Sequence, residues 1–471
     1  MKTNLILSAL LTNAFAASLF ATACTTQTSA LKLDHAQVEN IVRRSYAYVA
    51  LYNVINKAAM DPGPMSTHGW NKLFKFTRLA DATLTTIARP NNDSLYQLAL
   101  LDLRDEPVIL EVPAFDSKYV SMETSAYDHY LEVPMATRRG DFKEPQKVLF
   151  YSARTKGYKP GDKIEGMDRY LEMSGDFAMA NIRVMPHAND PARFQRIVGQ
   201  IESLKLMTLS EYQGKPGRTA SEITFPAYGA TDADIFGNNL LEVMQFVFNH
   251  TTFDPKDKLD QAVLASYKPL GVEPGKPWNP ATAATIDGAM FRAVSEEVKK
   301  ATLAMMNNPA DIARLVTKLH ASKGQTTLEL MVVGAVIGPF GLPAIEAMYP
   351  PITTADGQPM NARHDYVVKM TKDELPPAKA FWSLTLYDTK NGFFIPNKQN
   401  KYSVGENAGF KLNADGGIEI HVAAGKPAGV PDENWLPINR GDEGLYIILR
   451  VYVPDLEKMK TWKAPKAVLV K

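Results

Sequence analysis

The chain has 471 residues, of which 22% are charged and 45% are hydrophobic, and its formal net charge is +1 at pH 7. This length is too great for one ordinary hydrophobic core, so two or more domains are expected. Binding to nucleic acid through phosphate contacts needs a clustered basic face, and no such cluster stands out in the sequence. The composition therefore predicts a globular protein of several domains and argues against DNA or RNA as its partner.

The first residues predict export. Residues 1–23 combine Lys2 near the start, a mostly apolar middle and small residues at the end, which is the pattern of a signal peptide. Cys24 follows, the single cysteine of the chain, and small residues before a cysteine resemble a bacterial lipobox. Lipid on Cys24 would anchor the protein to a membrane, with 24–33 as a linker. The alternative is ordinary cleavage after Ala23, which would leave a periplasmic or secreted protein.

Residues 34–189 predict a leading helix followed by an N-terminal β-sandwich domain. Apolar residues recur at three- and four-residue steps over 34–59, the spacing of one helix face. After it come short aliphatic and aromatic stretches separated by turn-like segments, at the spacing typical of a sandwich. The predicted strands are 94–103, 108–112, 119–125, 147–152 and 170–184.

Residues 190–345 predict a helical block. Asp190 is a suitable N-cap and Pro191 suits the first helical position, so a helix is expected over 191–212. Strand signals are few throughout this stretch, which makes it hard to place inside a sandwich. Further helices are predicted at 232–248, 280–306 and 309–320.

Residues 346–471 predict a C-terminal β-sandwich domain. Alternation about Ser383 and Thr385 indicates a half-buried strand over 381–387. An Asp-Gly pair between two apolar runs predicts a hairpin formed by 410–412 and 418–422. The remaining strands are predicted at 366–370 and 445–453, the second with a near-continuous apolar run that indicates burial on both faces.

Several short stretches are similar to known protein families. The C-terminal half resembles domain-of-unknown-function family 1214 through Ala-Met-Tyr-Pro at 347–350, Leu-Pro-Pro-Ala-Lys-Ala-Phe-Trp-Ser-Leu-Thr-Leu-Tyr-Asp at 375–388 and Asn-Trp-Leu-Pro at 434–437. The N-terminal half resembles its usual partner, family 1254, through Arg-Pro-Asn-Asn-Asp-Ser-Leu-Tyr at 89–96. This resemblance implies an α+β fold, mainly β with a helical insertion. It implies two β-sandwich, jelly-roll-like domains, often exported and often assembled into homo-oligomers, and it carries over no established catalytic residue.

The first candidate ligand site is the cluster Arg89, Asn91, Asn92 and Asp93, with Tyr96 in the strand that follows. It places a cation, two amides and a carboxylate at the mouth of a predicted strand, where loops carry binding groups. Arg89 could pair with a ligand carboxylate through its planar guanidinium. The alternative is a turn in which Asn92 and Asp93 bond to nearby backbone groups.

The second candidate combines aromatic rings with polar groups, as a small-molecule pocket does. Arg450 lies inside an apolar strand and needs a partner if it is buried, and Asp93 and Asp388 are the acids that could supply one. The alternative is a packed core in which Arg450 forms a structural ion pair. The residues of this candidate are Trp382, Tyr387, Asp388, Asn434, Trp435, Arg450 and Tyr452.

The sequence predicts neither a metal site nor a cofactor. None of its eight histidines is paired at the spacing of a zinc site. The exception of interest is Asp128 next to His129, where a carboxylate could tune an imidazole, although neighbours along a strand point to opposite faces. The chain has no Gly-x-Ser-x-Gly elbow, Walker A loop, dinucleotide fingerprint or His-Glu-x-x-His motif.

These observations favour an exported cell-envelope protein that binds or processes a small molecule. Two other classes stay open on the sequence. One is a structural or host-interaction protein whose sandwiches serve oligomer assembly, and the other is a hydrolase or lyase whose site the sequence does not place. The sequence therefore leaves open whether the protein is an enzyme.

Overall fold

The computed structural model describes residues 32–470 with the exception of 64–65, 86, 219, 306–307, 309–310, 312–313 and 316. The predicted signal segment 1–23 and Cys24 lie outside the described residues, and so does part of the predicted helix at 309–320. None of the helices that the structure describes is long and apolar enough to cross a membrane.

The fold is α+β, as predicted, and its strands fall into two groups with helices between them. The described helices are α1 (His35–Met60), α2 (Pro191–Glu202), α3 (Leu209–Tyr212), α4 (Asp232–Asn238), α5 (Leu240–Asn249), α6 (Lys258–Tyr267), α7 (Gly288–Met305), α8 (Leu328–Ile337) and α9 (Leu456–Met459). The strands of the first group are β1 (Lys72–Lys75), β2 (Leu95–Asp102), β3 (Val108–Val112), β4 (Val120–Ala126), β5 (Glu132–Ala136), β6 (Gln146–Ser152), β7 (Arg169–Met173), β8 (Phe177–Val184) and β9 (Lys205–Thr208). Those of the second are β10 (Ala347–Met348), β11 (Pro351–Ile352), β12 (Met360–Asn361), β13 (Tyr366–Met370), β14 (Ala378–Asp388), β15 (Ser403–Gly405), β16 (Ile418–Ala423), β17 (Trp435–Pro437), β18 (Gly444–Pro454) and β19 (Ala467–Leu469).

The first helix shows how local sequence sets an element's ends. The Asp34 side chain accepts from the Gln37 backbone N–H at 2.8 Å, and the Gln37 side chain accepts from the Asp34 backbone N–H at 2.9 Å. This reciprocal bonding satisfies N–H groups that a helix start leaves unpaired. Pro62 follows the C-cap Asp61, and proline cannot continue a helix. The helix predicted at 34–59 is therefore confirmed.

The first strand group forms a β-sandwich. One sheet has the order β1-β2-β8-β4-β5, and the other has the order β7-β6-β3-β9. Alternate residues of β2, such as Leu95, Ala99 and Leu101, point between the sheets and pack against Val108 and Leu110 of β3. The strands predicted at 94–103, 108–112, 119–125 and 147–152 are confirmed as β2, β3, β4 and β6. The strand predicted at 170–184 is two strands, β7 and β8, and β1, β5 and β9 were not predicted.

A helical layer covers part of the outer face of the five-stranded sheet. Helices α1 and α4 to α8 share one hydrophobic core. The five-stranded sheet side of this core is formed by residues of the strands or directly after one of them, Leu100, Tyr127, Phe177 and Met179. Helix α1 therefore packs with the helical block, although it precedes the first strand in sequence.

The second strand group forms a second β-sandwich. Strands β10-β18-β14-β15 form one sheet, with β11 and β12 also paired to β18, and β17-β16-β13-β19 form the other. The long strands β14 and β18 pair antiparallel, with Trp382 opposite Val451 and Leu384 opposite Leu449. These four side chains point between the two sheets and are buried there.

Three predicted elements differ from those in the structure. The helix expected over 191–212 ends at Glu202, and β9 then pairs with β3, so the first sandwich extends past the predicted boundary at 190. The helix expected over 232–248 is broken at Asn239 into α4 and α5. The hairpin of 410–412 with 418–422 is wrong, because β16 pairs with β13 and β17 instead.

The two sandwiches meet through the outer face of the β14–β18 sheet. Phe381 stacks on Tyr452 with ring centroids 4.1 Å apart, and both rings contact Tyr119 of the first sandwich. Leu131 and Met185 of the first sandwich bury against the same rings. This apolar contact fixes the two sandwiches against each other and frames the polar junction described next.

Candidate functional site

The loop before β2 lies on the outer face of the β14–β18 sheet. Side chains alternate along a strand, so Ser383, Thr385 and Tyr387 face away from the second sandwich core and toward this loop. Arg450 of β18 lies directly opposite Ser383 and shares that face. The polar residues Ser383 and Thr385 led us to predict that one face of this strand is exposed to solvent. Both side chains are in fact buried, against the first sandwich.

Three residues of the loop bond across the domains. Ser383 donates a hydrogen bond to the Asp93 carboxylate. Asn91 Nδ2 donates to the Tyr452 hydroxyl at 2.7 Å. The Asn92 side-chain oxygen accepts from a serine hydroxyl of β15 at 3.0 Å. We call this set, together with Arg450 and Tyr387, the domain junction.

Arg450 is 4% exposed and has only neutral groups as hydrogen-bond partners. Its guanidinium donates to Thr385 Oγ1 at 2.8 Å, to the Tyr387 hydroxyl at 2.7 Å and to the Arg89 carbonyl at 3.3 Å. Burial opposes its charge, yet the oxygens of Tyr387, Tyr452 and Asp93 keep the pKa of Arg450 above its ordinary value. The sequence predicts an ion pair for Arg450. In the structure Arg450 interacts electrostatically with Asp93, but the two side chains form no direct hydrogen bond.

Asp93 completes this buried pair of charges. It is 1% exposed. Burial raises the pKa of Asp93, while the charge of Arg450 and the hydrogen bond from Ser383 act in the opposite direction. Its backbone N–H bonds to the Asn91 side chain at 2.6 Å, so the local turn proposed for this cluster also exists. The loop therefore contains a local turn, made by the Asn91 side chain and not by those of Asn92 or Asp93. The interpretation of the cluster as a ligand site stays a prediction.

Arg89 lies at the rim of the junction. Its backbone has a positive φ of 57°, its N–H bonds to the Gly392 carbonyl at 2.7 Å and its side chain is exposed. The guanidinium lies 5.7 Å from the centroid of the Tyr446 ring. Arg89 and Arg450 therefore belong to one site, the first at its edge and the second in its interior.

The remaining sequence candidates lie elsewhere, which corrects the idea of one aromatic–polar pocket in the C-terminal half. Trp382 points into the second sandwich core and stacks on Phe410 with centroids 4.9 Å apart. Asp388 accepts from backbone N–H groups of the turn at 391–393. Asn434 and Trp435 bond to backbone groups near β16. The physical reason is strand alternation, since Trp382 and Tyr387 are five residues apart and face opposite ways.

Arg183 extends the junction onto the first sandwich. The sequence did not predict it as a candidate site residue. It lies opposite Tyr96 in the β2–β8 pairing, and its Nη1 donates to the Tyr96 hydroxyl at 3.3 Å. Its Nη2 donates to Glu123 Oε1 and to the Phe340 carbonyl, both at 2.7 Å. Burial opposes the charge of Arg183, but Glu123 and Tyr96 keep the pKa of Arg183 well above its ordinary value.

A second buried acid stands beside this ion pair. Glu346, just before β10, is fully buried and pairs with Arg138. Burial raises the pKa of Glu346, Arg138 opposes this, and the nearby Glu123 adds to the increase. Charged side chains of the first sandwich thus meet the first residues of the second at this point. This meeting of charges is visible only in the folded structure. In the sequence, Arg183 and Glu123 lie in stretches that look like ordinary strands.

Several buried polar atoms at this point have no hydrogen-bond partner among the described residues. They are Glu123 Oε2, Glu346 Oε2 and Arg183 Nε. Buried polar atoms are nearly always bonded in folded proteins, so these unpaired acceptors and this unpaired donor need a molecule beside them. Water or a small polar ligand can take that place.

The buried His129 and the half-buried His320 flank the same region. The rings of His129 and His320 are 6.2 Å apart, and Gly341 and Gly334 leave the room that the His320 ring occupies. Burial lowers the pKa of His129 to about 4, and burial with the charges of His129 and Arg183 lowers the pKa of His320 to about 3. Both rings are therefore neutral at ordinary pH.

No group of three or more metal-ligating side chains forms within the described part of the chain. Two surface concavities formed by those residues lie elsewhere, in the helical layer. One of 360 Å³ lies along α7, and the other of 240 Å³ lies between α4, α5 and Trp278. Neither contains a group of interacting charges like that of the domain junction, so chemistry and not concavity singles out the junction.

Two protein-family models match the chain, one to a segment of its N-terminal half and one to a segment of its C-terminal half. The family described as Protein of unknown function (DUF1254) matches residues 70–203, and Protein of unknown function (DUF1214) matches residues 346–456. The two matches follow the order that the sequence resemblance implied. No curated protein matches the chain.

Comparison with solved structures gives matches over most of the chain. The VPA0106 protein from Vibrio parahaemolyticus is 23% identical to this chain with a TM-score of 0.69, and the match covers 92% of this chain and 100% of that one. An uncharacterised protein from Burkholderia cenocepacia is 14% identical with a TM-score of 0.42, over 93% of this chain and 94% of that one. The first similarity supports the fold, and neither indicates an activity.

Proposed function

We propose that this chain, which joins a DUF1254 to a DUF1214 domain, binds a small hydroxyl-bearing molecule at the domain junction. The observation that carries the proposal is the set of unpaired buried atoms Glu123 Oε2, Glu346 Oε2 and Arg183 Nε. The two carboxylate oxygens need hydrogen-bond donors, and the guanidinium nitrogen needs an acceptor. A hydroxyl group supplies both, so a polyol or sugar suits this set better than a simple anion or cation.

The junction retains some accessible surface through which such a molecule could enter. Tyr96 and Phe340, which bond to Arg183, are half-buried, and so is the nearby Tyr349. The interior charges are fully covered by comparison, with Arg183 at 4% and Glu123 at 0% exposure. A ligand would therefore reach the charges past aromatic side chains, the usual composition of a small-molecule site.

A thermal-shift screen against glycerol, glucose, acetate, benzoate and ethylamine tests this function. We expect a polyol or sugar to raise the unfolding midpoint, because a ligand that binds only the folded state stabilises it. Glu123→Gln should reduce that shift, since the amide replaces an unpaired acceptor with a donor. The matched control is Glu406→Gln, which removes a half-exposed partner of Lys118. The proposal fails if no hydroxyl compound raises the midpoint or if both variants respond as the unmodified protein does.

We also propose that the protein is exported and held at the bacterial envelope by lipid on Cys24. The support is the leader pattern of 1–23 with a cysteine directly after it. Mass spectrometry of the mature protein from its own host tests this point. A lipid-modified Cys24 at the N-terminus is expected, and an unmodified one would show ordinary secretion instead.

Assembly into a homo-oligomer is the second function that a specific observation favours. Strand β19 is the last strand of its sheet, and Val468, Leu469 and Val470 are each at least 38% exposed. An exposed apolar edge strand can pair with another chain. Light scattering should show an oligomer that Val468→Lys dissociates, and a monomer at micromolar concentration would exclude this role.

A further inference from the structure

A carboxylate–imidazole pair lies away from the domain junction, where β8 meets the helical layer. Asp176 directly precedes β8, and His250 is the C-cap of α5. Asp176 Oδ2 lies 2.9 Å from His250 Nδ1, and the Asp176 backbone N–H donates to the His250 carbonyl, also at 2.9 Å. Ser152 donates to the other carboxylate oxygen at 2.7 Å, and Arg154 Nε donates to both oxygens.

These contacts favour the ionised form of Asp176. Asp176 is 3% exposed, and burial alone would raise its pKa, but the bonds from His250, Arg154 and Ser152 outweigh burial and lower the pKa of Asp176. The carboxylate is therefore ionised and accepts a hydrogen bond from Nδ1–H of His250. In the neutral form of the imidazole, the lone pair is then on Nε2.

His250 Nε2 has no hydrogen-bond partner among the described residues, while the His250 side chain is 17% exposed. The site thus offers a hydrogen-bond acceptor of fixed orientation that the outside can reach. A carboxylate that orients an imidazole through Nδ1 and leaves Nε2 free is the arrangement that proteins use to accept a proton or a hydrogen bond from a ligand.

Two aromatic rings pack against the His250 imidazole, and two more continue the cluster from them. The His250 ring lies 4.6 Å from the Phe246 ring and 5.1 Å from the Phe177 ring, measured between centroids. Phe225 lies 5.2 Å from Phe246, and Trp70 stacks on Phe225 at 5.7 Å. Phe177 is fully buried, but Phe225, Phe246 and Trp70 are half-buried and keep part of their surface accessible.

We propose that this group is a binding site for a small aromatic molecule that carries a hydroxyl group, such as a phenol. The ligand ring packs against the accessible parts of Phe225 and Phe246, and its hydroxyl donates to His250 Nε2. Aromatic side chains favour a flat ring by offset or edge-to-face contact. A ring without a hydroxyl would leave Nε2 unpaired, and a polyol would gain little from the aromatic walls. The site is separate from the domain junction and does not depend on the function proposed there.

Phenol and toluene are the probes that test the proposal on the full-length protein. Each is titrated while the imidazole ¹⁵N and ¹H signals of His250 are followed by NMR. We expect phenol to shift the Nε2 signal and to bind at least tenfold more tightly than toluene. His250→Asn should bring phenol down to the affinity of toluene, because the asparagine amide can still donate to Asp176 but offers no Nε2.

The matched control is His35→Asn, which removes an exposed imidazole paired with Glu297 and should leave phenol binding unchanged. Phe225→Ala keeps the Asp176–His250 pair and should weaken phenol and toluene alike, which covers the case in which the His250 variant does not fold. The proposal is overturned if phenol binds no better than toluene, if the Nε2 signal does not move, or if His250→Asn leaves phenol affinity intact.

Discussion

Acidification should destabilise this protein through His129 and His320. Burial holds the pKa of His129 at about 4 and, with the charges of His129 and Arg183, that of His320 at about 3. In an unfolded chain a histidine has a pKa of about 6.5. Between these values the unfolded chain binds protons that the folded protein does not. The free energy of unfolding therefore decreases as the pH falls from 6.5 toward 4.

The size of the effect follows from the same values. For a step from pH 7 to pH 5, linkage gives a loss of about 2 kcal/mol for each histidine. Asp128 acts in the opposite direction, because burial raises the pKa of Asp128 to about 6 against the attraction of Lys323. Its protonation over the same step restores about 1 kcal/mol. His129, His320 and Asp128 together therefore contribute a net loss of about 3 kcal/mol. His187 adds to this loss, because burial lowers the pKa of His187 to about 4 as well.

Urea unfolding followed by circular dichroism at pH 7 and pH 5 measures this loss. The variant to compare is His129→Asn with His320→Asn. Both histidines have positive φ, 61° and 55°, which asparagine tolerates better than most residues. The double variant should lose about 4 kcal/mol less than the unmodified protein over the same step, whereas His35→Asn should behave as the unmodified protein. An equal loss in the double variant and the unmodified protein would refute the assignment.

Four further substitutions test the packing and charge around the junction, each by urea unfolding. Asp128→Asn removes the opposing carboxyl, so the loss between pH 7 and pH 5 should grow by about 1 kcal/mol, and an unchanged loss would contradict its raised pKa. Gly341→Ala should cost about 1–3 kcal/mol, because a Cβ there would overlap the His320 imidazole, whereas Gly334→Ala places its Cβ at ordinary contact distance in a helix and should be neutral or stabilising. Equal effects of the two alanines would disprove the overlap. Ser383→Ala removes a donor to a buried carboxylate and should cost about 1–3 kcal/mol, so a change within experimental error would show that water replaces it.

Much of the architecture could be predicted from the sequence, because its signals are local. The apolar period of α1, the N-cap before Pro191 and the alternation in β14 each depend on neighbouring residues. The errors arose where a local signal competed with a distant partner. The Asp-Gly turn at 415–416 exists, but β16 pairs with β13, about fifty residues earlier in the chain. A turn signal fixes the direction of the chain and does not by itself choose the strand that pairs.

The junction shows the same limit for function. The sequence marked Asp93 and Arg450 as candidates, since a charge inside an apolar strand demands an explanation. It could not show that they meet across 357 positions, or that Trp382 turns away from them. Arg183 carried no signal, because β8 reads as an ordinary strand until Tyr96 and Glu123 are placed beside it.

The arrangement of these charges bears on why the domains stay together. A buried ion pair contributes little net stability, because the cost of removing charges from water offsets their attraction. The apolar contact of Phe381, Tyr452 and Tyr119 is therefore the main source of affinity between the sandwiches. Charges that add little stability, and atoms among them that lack partners, are economically explained if their role is to recognise something. The unpaired buried atoms among these charges are therefore the reason that we propose a ligand site at the domain junction and not in either sandwich core.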